Sequence, residues 1–422
     1  MALSVTAFAQ PPQFSNTVRG FVKVDAPVVA LTHVRVIDGT GAPAKENQTI
    51  VIRGGNIAEL GDAPQVKAPD GATVIDLTGK SVIPGLVMVH EHLFYPTGPG
   101  VYGQLGLSFT RLYLAGGVTT MRTGGNTNGL MDITIKQQID AGQQAGPAMD
   151  ATAPYLNGPQ NQLQMHALKD ADDARKQVNY WADQGATSFK AYMQITRDEL
   201  RASIEEAHKR GLKITGHLCS VTYAEAADLG IDNLEHGFLA STDFVADKQP
   251  DTCPGQAVGQ RTIAALDENG EPFKALVKKL VDKKVALTST QTVFETFTPG
   301  RPMPPGLDVL VPQLKQQFEQ SYQRTAQNAL PLRDAVSQGA RARARLRAGG
   351  RHAYRRHGSH GRRRCDSGVL EPAAARAARR GGLHAGGSDP YRHAERRLLS
   401  GKSRARRVDR RRQAGRSRRR RR

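Results

Sequence analysis

Four histidines and one lysine stand where apolar, strand-like runs of the sequence end, and their side chains have the chemistry of a metal site. Successive side chains of a strand alternate between its two faces, so His90 and His92 point the same way and Glu91 points away. Neutral imidazole is a common ligand of Zn²⁺, and a metal-activated water is a nucleophile for hydrolysis. Each histidine taken alone would be an ordinary core residue, but the ordered set predicts a metal centre. The set is His90, His92, Lys190, His217 and His236.

The elements that must position these side chains alternate between strand and helix from residue 81 onward. Amphipathic segments such as 170–184 and 198–210 separate the apolar runs. Repeated strand–helix units indicate a parallel sheet, and the count predicts a (β/α)8 TIM-type barrel that is incomplete because its eighth strand is lost. In barrel enzymes the active site lies at the C-terminal ends of the strands. The seven runs are Val82–Val89, Gly117–Arg122, Ala148–Tyr155, Ser188–Met193, Lys213–Cys219, Asn233–Phe238 and Val285–Thr290.

These motifs resemble the amidohydrolase superfamily, particularly its imidazolonepropionase-like and Xaa-Pro dipeptidase-like group. The resemblance spans about residues 25–340. The aspartate that the family carries at the end of the eighth strand is absent from the chain as written. The matching residues are Pro84-Gly85-Leu86 with His90-x-His92, Gly117-Val-Thr-Thr120, Lys190, Gly216-His217 and Glu235-His236-Gly237.

The resemblance implies a binuclear centre, usually of two Zn²⁺ ions. His90 and His92 would hold the buried ion, and His217 and His236 the exposed one. Lys190, carboxylated by CO₂, would bridge both ions and is the expected catalytic lysine. Burial near cations lowers the pKa of a lysine and supplies the neutral amine that captures CO₂. The resulting carbamate is an anionic oxygen ligand for both ions.

We therefore expect a metal-dependent hydrolase of amide (C–N) bonds that acts on a small-molecule amide or dipeptide, as a dipeptidase or an N-acyl amino-acid hydrolase. A cyclic-amide hydrolase or a deaminase is the alternative within the superfamily. Lys190 favours the binuclear hydrolases, because mononuclear deaminases do not need a bridging carbamate. Substrate choice lies in the loops after the strands, and the sequence leaves the substrate and the oligomeric state open, a homo-oligomer included.

Two further residues follow strands and are candidates for substrate binding. Arg122 comes at the end of the second run and would bind a substrate carboxylate, with a structural ion pair as the alternative. Tyr155 comes at the end of the third run and would hydrogen-bond a carbonyl, with core packing as the alternative.

The N-terminal 80 residues predict a leader and a small second domain. Residues 1–9 are interpreted as a signal-peptide remnant, because Ala7-Phe8-Ala9 has the small-x-small pattern of a cleavage site, although a basic segment before it is missing. This predicts a periplasmic or secreted protein, with the cytoplasm as the alternative. Residues 24–80 contain short alternating strands and predict the N-terminal part of a composite β-sandwich, followed by the barrel at 81–340.

Three cysteines constrain the compartment only weakly. A Cys219–Cys253 disulfide would form in an oxidising compartment, and a pair of inert buried thiols is the alternative. Cys365 has no obvious partner, and no C-x-x-C motif occurs in the chain.

The positive charge of the chain is confined to its C-terminal fifth. The 422 residues carry a formal net charge of +20, from 59 Lys and Arg against 39 Asp and Glu. Residues 341–422 hold 28 arginines and one lysine against five acids, which leaves 30 bases and 34 acids in the first 340 residues. The barrel region is therefore mildly acidic and does not indicate a nucleic-acid partner. No apolar run reaches the roughly 18 residues of a membrane span.

Two interpretations account for the arginine-rich, disordered-looking tail at 341–422. One is a basic tail that binds polyanions on an inactive product. The one that we favour is a frameshift in a GC-rich gene between Leu332 and Gly349. Written in suitable codons and moved by one base, Gly350 to Ser359 becomes Gly-Val-Thr-Leu-Ile-Ala-Gly-Thr-Asp-Leu, a buried strand that ends in aspartate. In the same frame, later stretches become a capped helix and a closing strand.

Overall fold

Five short strands between residues 28 and 82 form the first sheet of the computed structural model, which describes residues 13–98, 101–159, 165–296, 298–300 and 302–327. A short helix precedes them, and β1 lies between β2 and β4 in the sheet. β1 pairs antiparallel with β2 and parallel with β4 and β5, while β2 and β3 form a hairpin. The elements are α1 (Asn16–Arg19), β1 (Val28–Val36), β2 (Lys45–Arg53), β3 (Asn56–Asp62), β4 (Thr73–Asp76) and β5 (Ser81–Val82).

The hairpin turn and the core of this sheet follow from local residue types. Gly54 and Gly55 have φ angles of 55° and 79°, the left-handed conformation that a two-residue hairpin turn requires and that glycine adopts readily. Val34, Val36 and Ile50 are buried together under the sheet. Among the described residues this region forms one sheet, so the second layer of the predicted sandwich stays a prediction.

Seven parallel strands follow, and each lies within or overlaps one of the predicted apolar runs. β6 (Leu86–Glu91) comes first, and an antiparallel hairpin of β7 (Phe94–Gly98) and β8 (Val101–Gln104) follows it. Most strands are shorter than the runs, because the last residues of several runs leave the sheet and enter loops. The other six strands are β9 (Val118–Thr123), β10 (Ala148–Asp150), β11 (Ser188–Ala191), β12 (Lys213–Gly216), β13 (Asn233–Glu235) and β14 (Ala286–Thr288).

The seven strands are neighbours in the order of the sequence. β6, β9 and β10 form one parallel sheet, and β11 to β14 form another. Parallel bridges from Thr152 to Ser188 and from Leu156 to Ala191 connect β10 and its following loop to β11. This is the strand order of a β/α barrel, but no pairing of β14 with β6 closes it within the described residues. The mixed α/β fold is confirmed, and the loss of the eighth strand from a TIM-type barrel stays a prediction.

Helices with clear N-terminal signals separate most of these strands. The two helices predicted from periodicity are present and bury their apolar faces, which include Val178, Leu200 and Ile204. Thr196 and Thr222 each form a capping box with the glutamate three residues later. None of the described helices has the length and apolarity to cross a membrane. The helices are α2 (Gly106–Ala115), α3 (Met131–Asp140), α4 (Ala171–Asp183), α5 (Arg197–Lys209), α6 (Tyr223–Leu229), α7 (Gln256–Ala264), α8 (Glu271–Asp282), α9 (Gln291–Glu295) and α10 (Pro312–Gln327).

The two ends of the parallel strand array differ from its middle in burial. All four residues of β11 are buried, and Phe189, Ile214 and Leu234 belong to the main hydrophobic core. On β6, by contrast, Val87 and Val89 are 63% and 51% exposed. The first strand of the array therefore presents apolar side chains to solvent.

The tail at 341–422 and the leader at 1–9 lie outside the described residues.

Candidate active site

The structure brings all five predicted metal-site residues together at the C-terminal ends of the parallel strands. The ring centroid of His90 lies 5.2 Å from that of His92 and 4.9 Å from that of His236. The rings of His217 and His236 are 4.1 Å apart. Lys190 Nζ lies 3.3 Å from His90 Nε2. Side chains from β6, β11, β12 and β13, or from the residue that follows the strand, thus share one site.

Three of the four imidazoles use Nδ1 within the protein and leave Nε2 for other partners. His92 Nδ1 donates to the carbonyl oxygen of Gly125 at 3.2 Å. His236 Nδ1 hydrogen-bonds with Thr290 Oγ1 at 2.8 Å, and His90 Nδ1 donates to Glu235 at 2.5 Å. Metal-binding histidines in proteins are oriented in this way by a second partner on the other ring nitrogen.

Gly125 leaves no room for a side chain beside this site. Its φ is 89°, and a Cβ there would lie 2.5 Å from the ring of Tyr155. A residue other than glycine would both strain the backbone and displace that ring. The carbonyl that orients His92 therefore depends on glycine at this position.

Burial keeps the imidazoles neutral and lowers the proton affinity of the lysine. Burial, with Lys190 as the next cause, lowers the pKa of His217 to about 3 and that of His92 well below its ordinary value. The pKa values of His90 and His236 are lowered mainly by burial as well. Burial lowers the pKa of Lys190 to about 8, although Glu235 opposes this shift. Neutral imidazole is the form that binds a metal ion.

Glu235 is a buried residue of the site. Strand alternation predicts that its side chain points away from the site, and this prediction is wrong. Its side chain is fully buried, with Oε2 on His90 and Oε1 3.1 Å from Arg122 Nη1. Burial would raise the pKa of this carboxyl, but Lys190, His90 and Arg122 together hold the pKa below its ordinary value. The sequence contains Glu235 in the Glu-His-Gly motif, yet alternation places it opposite His236.

Arg122 and Tyr155, the two predicted substrate-binding residues, both border the site. Arg122 forms the ion pair with Glu235 and donates to Thr215 Oγ1 at 2.9 Å, so the structural ion pair, the alternative given above, is present. The ring of Tyr155 lies 5.7 Å from Lys190 Nζ and 4.5 Å from the ring of Tyr192. Tyr155 is buried, and contact of either residue with substrate stays a prediction.

A disulfide fastens the segment 241–253 beside the site. Cys219, two residues after His217, is bonded to Cys253, so the disulfide is present rather than the pair of free thiols. Lys248 Nζ donates to the carbonyl of Ser220 at 2.5 Å. Arg197 forms an ion pair with Asp251 at 3.2 Å. These contacts hold the segment against the residues that follow β12 and against the first residue of α5.

The donor atoms of the site are of the types that bind a divalent metal ion. The side chains that carry them are not arranged around a single ion position. Among the described residues, no three His, Cys, Asp or Glu side chains converge closely enough to hold one ion. The site nevertheless offers four imidazoles with lowered pKa, three of them oriented through Nδ1, and a buried amine beside them. This is the nitrogen-rich donor set that suits Zn²⁺.

Comparison with solved structures identifies the fold. A prolidase-like protein from Bifidobacterium longum superimposes with a TM-score of 0.52 at 21% identity, over 76% of this chain and 71% of that chain. A Xaa-Pro dipeptidase with bound methionine gives 0.52 at 16% identity, over 76% of each chain. Bottromycin amidohydrolase gives 0.51 at 17% identity, over 77% of this chain and 66% of that chain.

The chain has the amidohydrolase fold. Among curated proteins, enamidase from Eubacterium barkeri is 27% identical over 187 residues, which are 42% of this chain and 45% of enamidase. The chain thus matches less than half the length of this relative. No family model matches the chain. The amidohydrolases to which it is related act on C–N bonds.

Proposed function

We propose that this protein hydrolyses the amide bond of a small dipeptide or N-acyl amino acid with the help of two divalent metal ions, Zn²⁺ in our hypothesis. The observation that carries the proposal is the position of Lys190. Its amine is buried, lies 3.3 Å from His90 Nε2, and shares the site with three further histidines. A buried lysine amine beside a neutral imidazole gains a chemical role if the site binds metal ions.

In this proposal each ion would have its own pair of histidines. His90 and His92 would hold one ion, and His217 and His236 would hold the second. When bound, divalent ions activate water and polarise the substrate carbonyl. Lys190, as a carbamate, would be the ligand that the two ions share. To form the carbamate, the neutral amine nitrogen would bond to the carbon of CO₂ as one C=O π bond opens onto oxygen, and the N–H proton would pass to solvent water. A pKa of about 8 leaves a fraction of the amine neutral near pH 7.

The walls of the site support a substrate with an apolar group. Tyr155 packs on Tyr192, whose ring is 5.0 Å from that of His217. Phe94 lies between His92 and Tyr155, with centroid distances of 5.0 and 6.5 Å. Tyr155 would hold the substrate carbonyl, and Arg122 would bind a substrate carboxylate only by leaving Glu235. A cyclic amide or a deaminase substrate is the second candidate.

The barrel itself is completed in this proposal by residues that the chain as written does not contain. The shifted-frame reading of Gly350 to Ser359, a buried strand that ends in aspartate, supports a frameshift that removed the eighth strand and its aspartate. That carboxylate would orient the attacking water and pass its proton to the leaving amine. The 422-residue product would then be inactive and poorly soluble. The nucleotide sequence of codons 332–349 tests this directly.

The disulfide supports the proposed periplasmic or secreted location, because disulfides persist in oxidising compartments. It joins Cys219 to Cys253 close to the site. Fractionation of cells that express the gene from its true start codon tests the location. A homo-oligomer remains part of the proposal, and sedimentation of the purified protein tests it.

Metal analysis of matched lysine variants tests the function. The frame-corrected chain should bind about two metal ions per chain and should hydrolyse members of a dipeptide and N-acyl amino-acid panel. Lys190→Ala should lose metal and activity together. Lys213→Ala, which changes an exposed lysine on β12, should lose neither. A Lys190→Ala protein that keeps both would exclude the bridging role.

A further inference from the structure

We infer that Glu235 is a positioning residue that fixes His90 in the orientation needed for metal binding, with Arg122 as its counter-ion. This inference rests on the proposed metal-dependent function and deepens it. It assigns a role to a carboxylate that, among the described residues, is buried against the predicted metal-site histidine His90. It also gives Arg122 a role inside the protein rather than in contact with substrate.

The two oxygens of Glu235 are divided between two partners. Oε2 lies 2.5 Å from His90 Nδ1, and Oε1 lies 3.1 Å from Arg122 Nη1. The carboxylate is fully buried, and the His90 and Arg122 side chains are only 6% and 13% exposed. Both oxygens are therefore occupied, which argues against Glu235 as a direct metal ligand.

The contact with Glu235 selects one tautomer of His90. A carboxylate accepts hydrogen bonds, so the proton of the neutral ring lies on Nδ1 and the lone pair lies on Nε2. Nε2 faces Lys190 Nζ at 3.3 Å, inside the site. An anionic acceptor on Nδ1 also makes the opposite nitrogen a stronger donor to a metal ion.

Arg122 is held too firmly to act as a mobile substrate ligand. In addition to Glu235, it donates to Thr215 Oγ1 at 2.9 Å and to the Val89 carbonyl at 3.3 Å. Its hydrogen-bond partners come from β6, β12 and β13, and Asp150 on β10 lies 3.9 Å from its Nε. Arg122 itself lies on β9. The network thus ties His90 to three other strands of the array.

Matched glutamate variants of the frame-corrected chain test the inference with Co²⁺ as the probe, and the unsubstituted frame-corrected chain is the wild type in this comparison. Titration should show Co²⁺ binding weakened roughly 10- to 100-fold in Glu235→Gln, with an altered visible absorption spectrum because one ligand is displaced. Glu91→Gln is the control, since Glu91 lies beside His90 on β6 but accepts from Tyr113 at 2.8 Å. It should bind Co²⁺ with the affinity and spectrum of wild type.

A second variant separates positioning from folding. Glu235→Gln removes the nearer anion of Arg122, while Asp150 stays 3.9 Å from Arg122 Nε. Glu235→Gln/Arg122→Met removes both charges of the buried pair, and it should fold yet still bind Co²⁺ with the weakened affinity. Wild-type affinity and spectrum in either Glu235 variant, or equal loss in Glu91→Gln, would overturn the inference and leave the metal-dependent function standing. A wild-type chain that binds no Co²⁺ would overturn the proposed function together with it.

Discussion

Glu235 and His236 are neighbours in the sequence, yet both side chains contact the ring of His90. Glu235 Oε2 lies 2.5 Å from His90 Nδ1, and the His236 ring centroid lies 4.9 Å from that of His90. Adjacent residues of a regular strand point to opposite faces. His236 escapes this rule because its φ is 66°, in the left-handed region. A non-glycine residue in this conformation costs about 1–2 kcal/mol and is typical of functional sites.

Replacing Arg122 by methionine should destabilise the protein strongly. The change leaves the Glu235 carboxylate buried with one partner fewer, and breaking a buried ion pair costs about 3–5 kcal/mol. Urea unfolding measures the free energy. Arg175→Met is the control, because its ion pair with Asp172 is exposed and should contribute no more than about 1 kcal/mol. Equal losses in the two variants would contradict a buried ion pair at Arg122.

Asp132 should make the stability of the protein fall as the pH rises through the weakly acidic range. Burial raises the pKa of this carboxyl to about 6 from an ordinary value of 3.8, and Thr123 and Asn126 offset burial only in part. Between these values the folded state holds a proton that the unfolded state has released, so ionisation costs stability. Asp132→Asn should therefore be more stable than wild type by about 3 kcal/mol at pH 7.5.

The advantage of Asp132→Asn should vanish at pH 3.5, where the wild-type carboxyl is protonated in both states. Unfolding by urea at the two pH values measures the difference. Asp140→Asn on the same helix is the control, since Asp140 is exposed and pairs with Lys136. A constant difference between wild type and Asp132→Asn across this range would show that the carboxyl is ionised normally.

The Cys219–Cys253 disulfide should stabilise the protein by about 3–4 kcal/mol. It joins residues 34 apart in sequence, and a closed loop of this length restricts the unfolded chain by about that amount. Cys253→Ser should lower Tm, and a reductant should lower the wild-type Tm to the same value. Cys365→Ser is the matched control and should keep the wild-type Tm. A wild-type Tm that does not respond to a reductant would contradict the disulfide.

Gly125→Ala should cost more than an alanine at an otherwise similar glycine. A Cβ at Gly125 meets the ring of Tyr155 at 2.5 Å, whereas one at Gly211, which also has positive φ, meets nothing within 4 Å. In both variants, alanine in the left-handed backbone conformation lowers the free energy of unfolding by about 1–2 kcal/mol. Gly125→Ala should lose about 1–3 kcal/mol more through overpacking. The difference in unfolding free energy measures that contact, and equal losses would contradict it.

Much of the fold and most of the candidate site follow from short-range patterns in the sequence. Apolar runs locate the seven strands, because a buried parallel strand needs an almost continuous apolar segment. The i, i+2 rule correctly brings His90 and His92 together and directs Glu91 to Tyr113. These predictions succeed because they depend on residues that lie close together in the chain.

The features that were missed depend on long-range partners or on a local exception. Arg122 and Glu235 are 113 residues apart, and no periodicity links them. His236 shares the site with its neighbour Glu235 only because its own backbone is left-handed, and the residue type alone does not predict that conformation. The choice between a disulfide and two thiols likewise depends on distances across loops.

The exposed valines of β6 favour association between copies of the chain at high protein concentration. Val87 and Val89 lie on β6, at the edge of the sheet that β6 forms with β9 and β10, and β14 is an edge of the sheet β11 to β14. Within the described residues neither β6 nor β14 has a further strand on its outer side. Open edges with apolar side chains recruit strands from other chains. His90 lies on this same strand, so any intermolecular pairing at β6 would also misplace the first histidine of the site. Protection of that edge is therefore a condition for catalysis as well as for solubility.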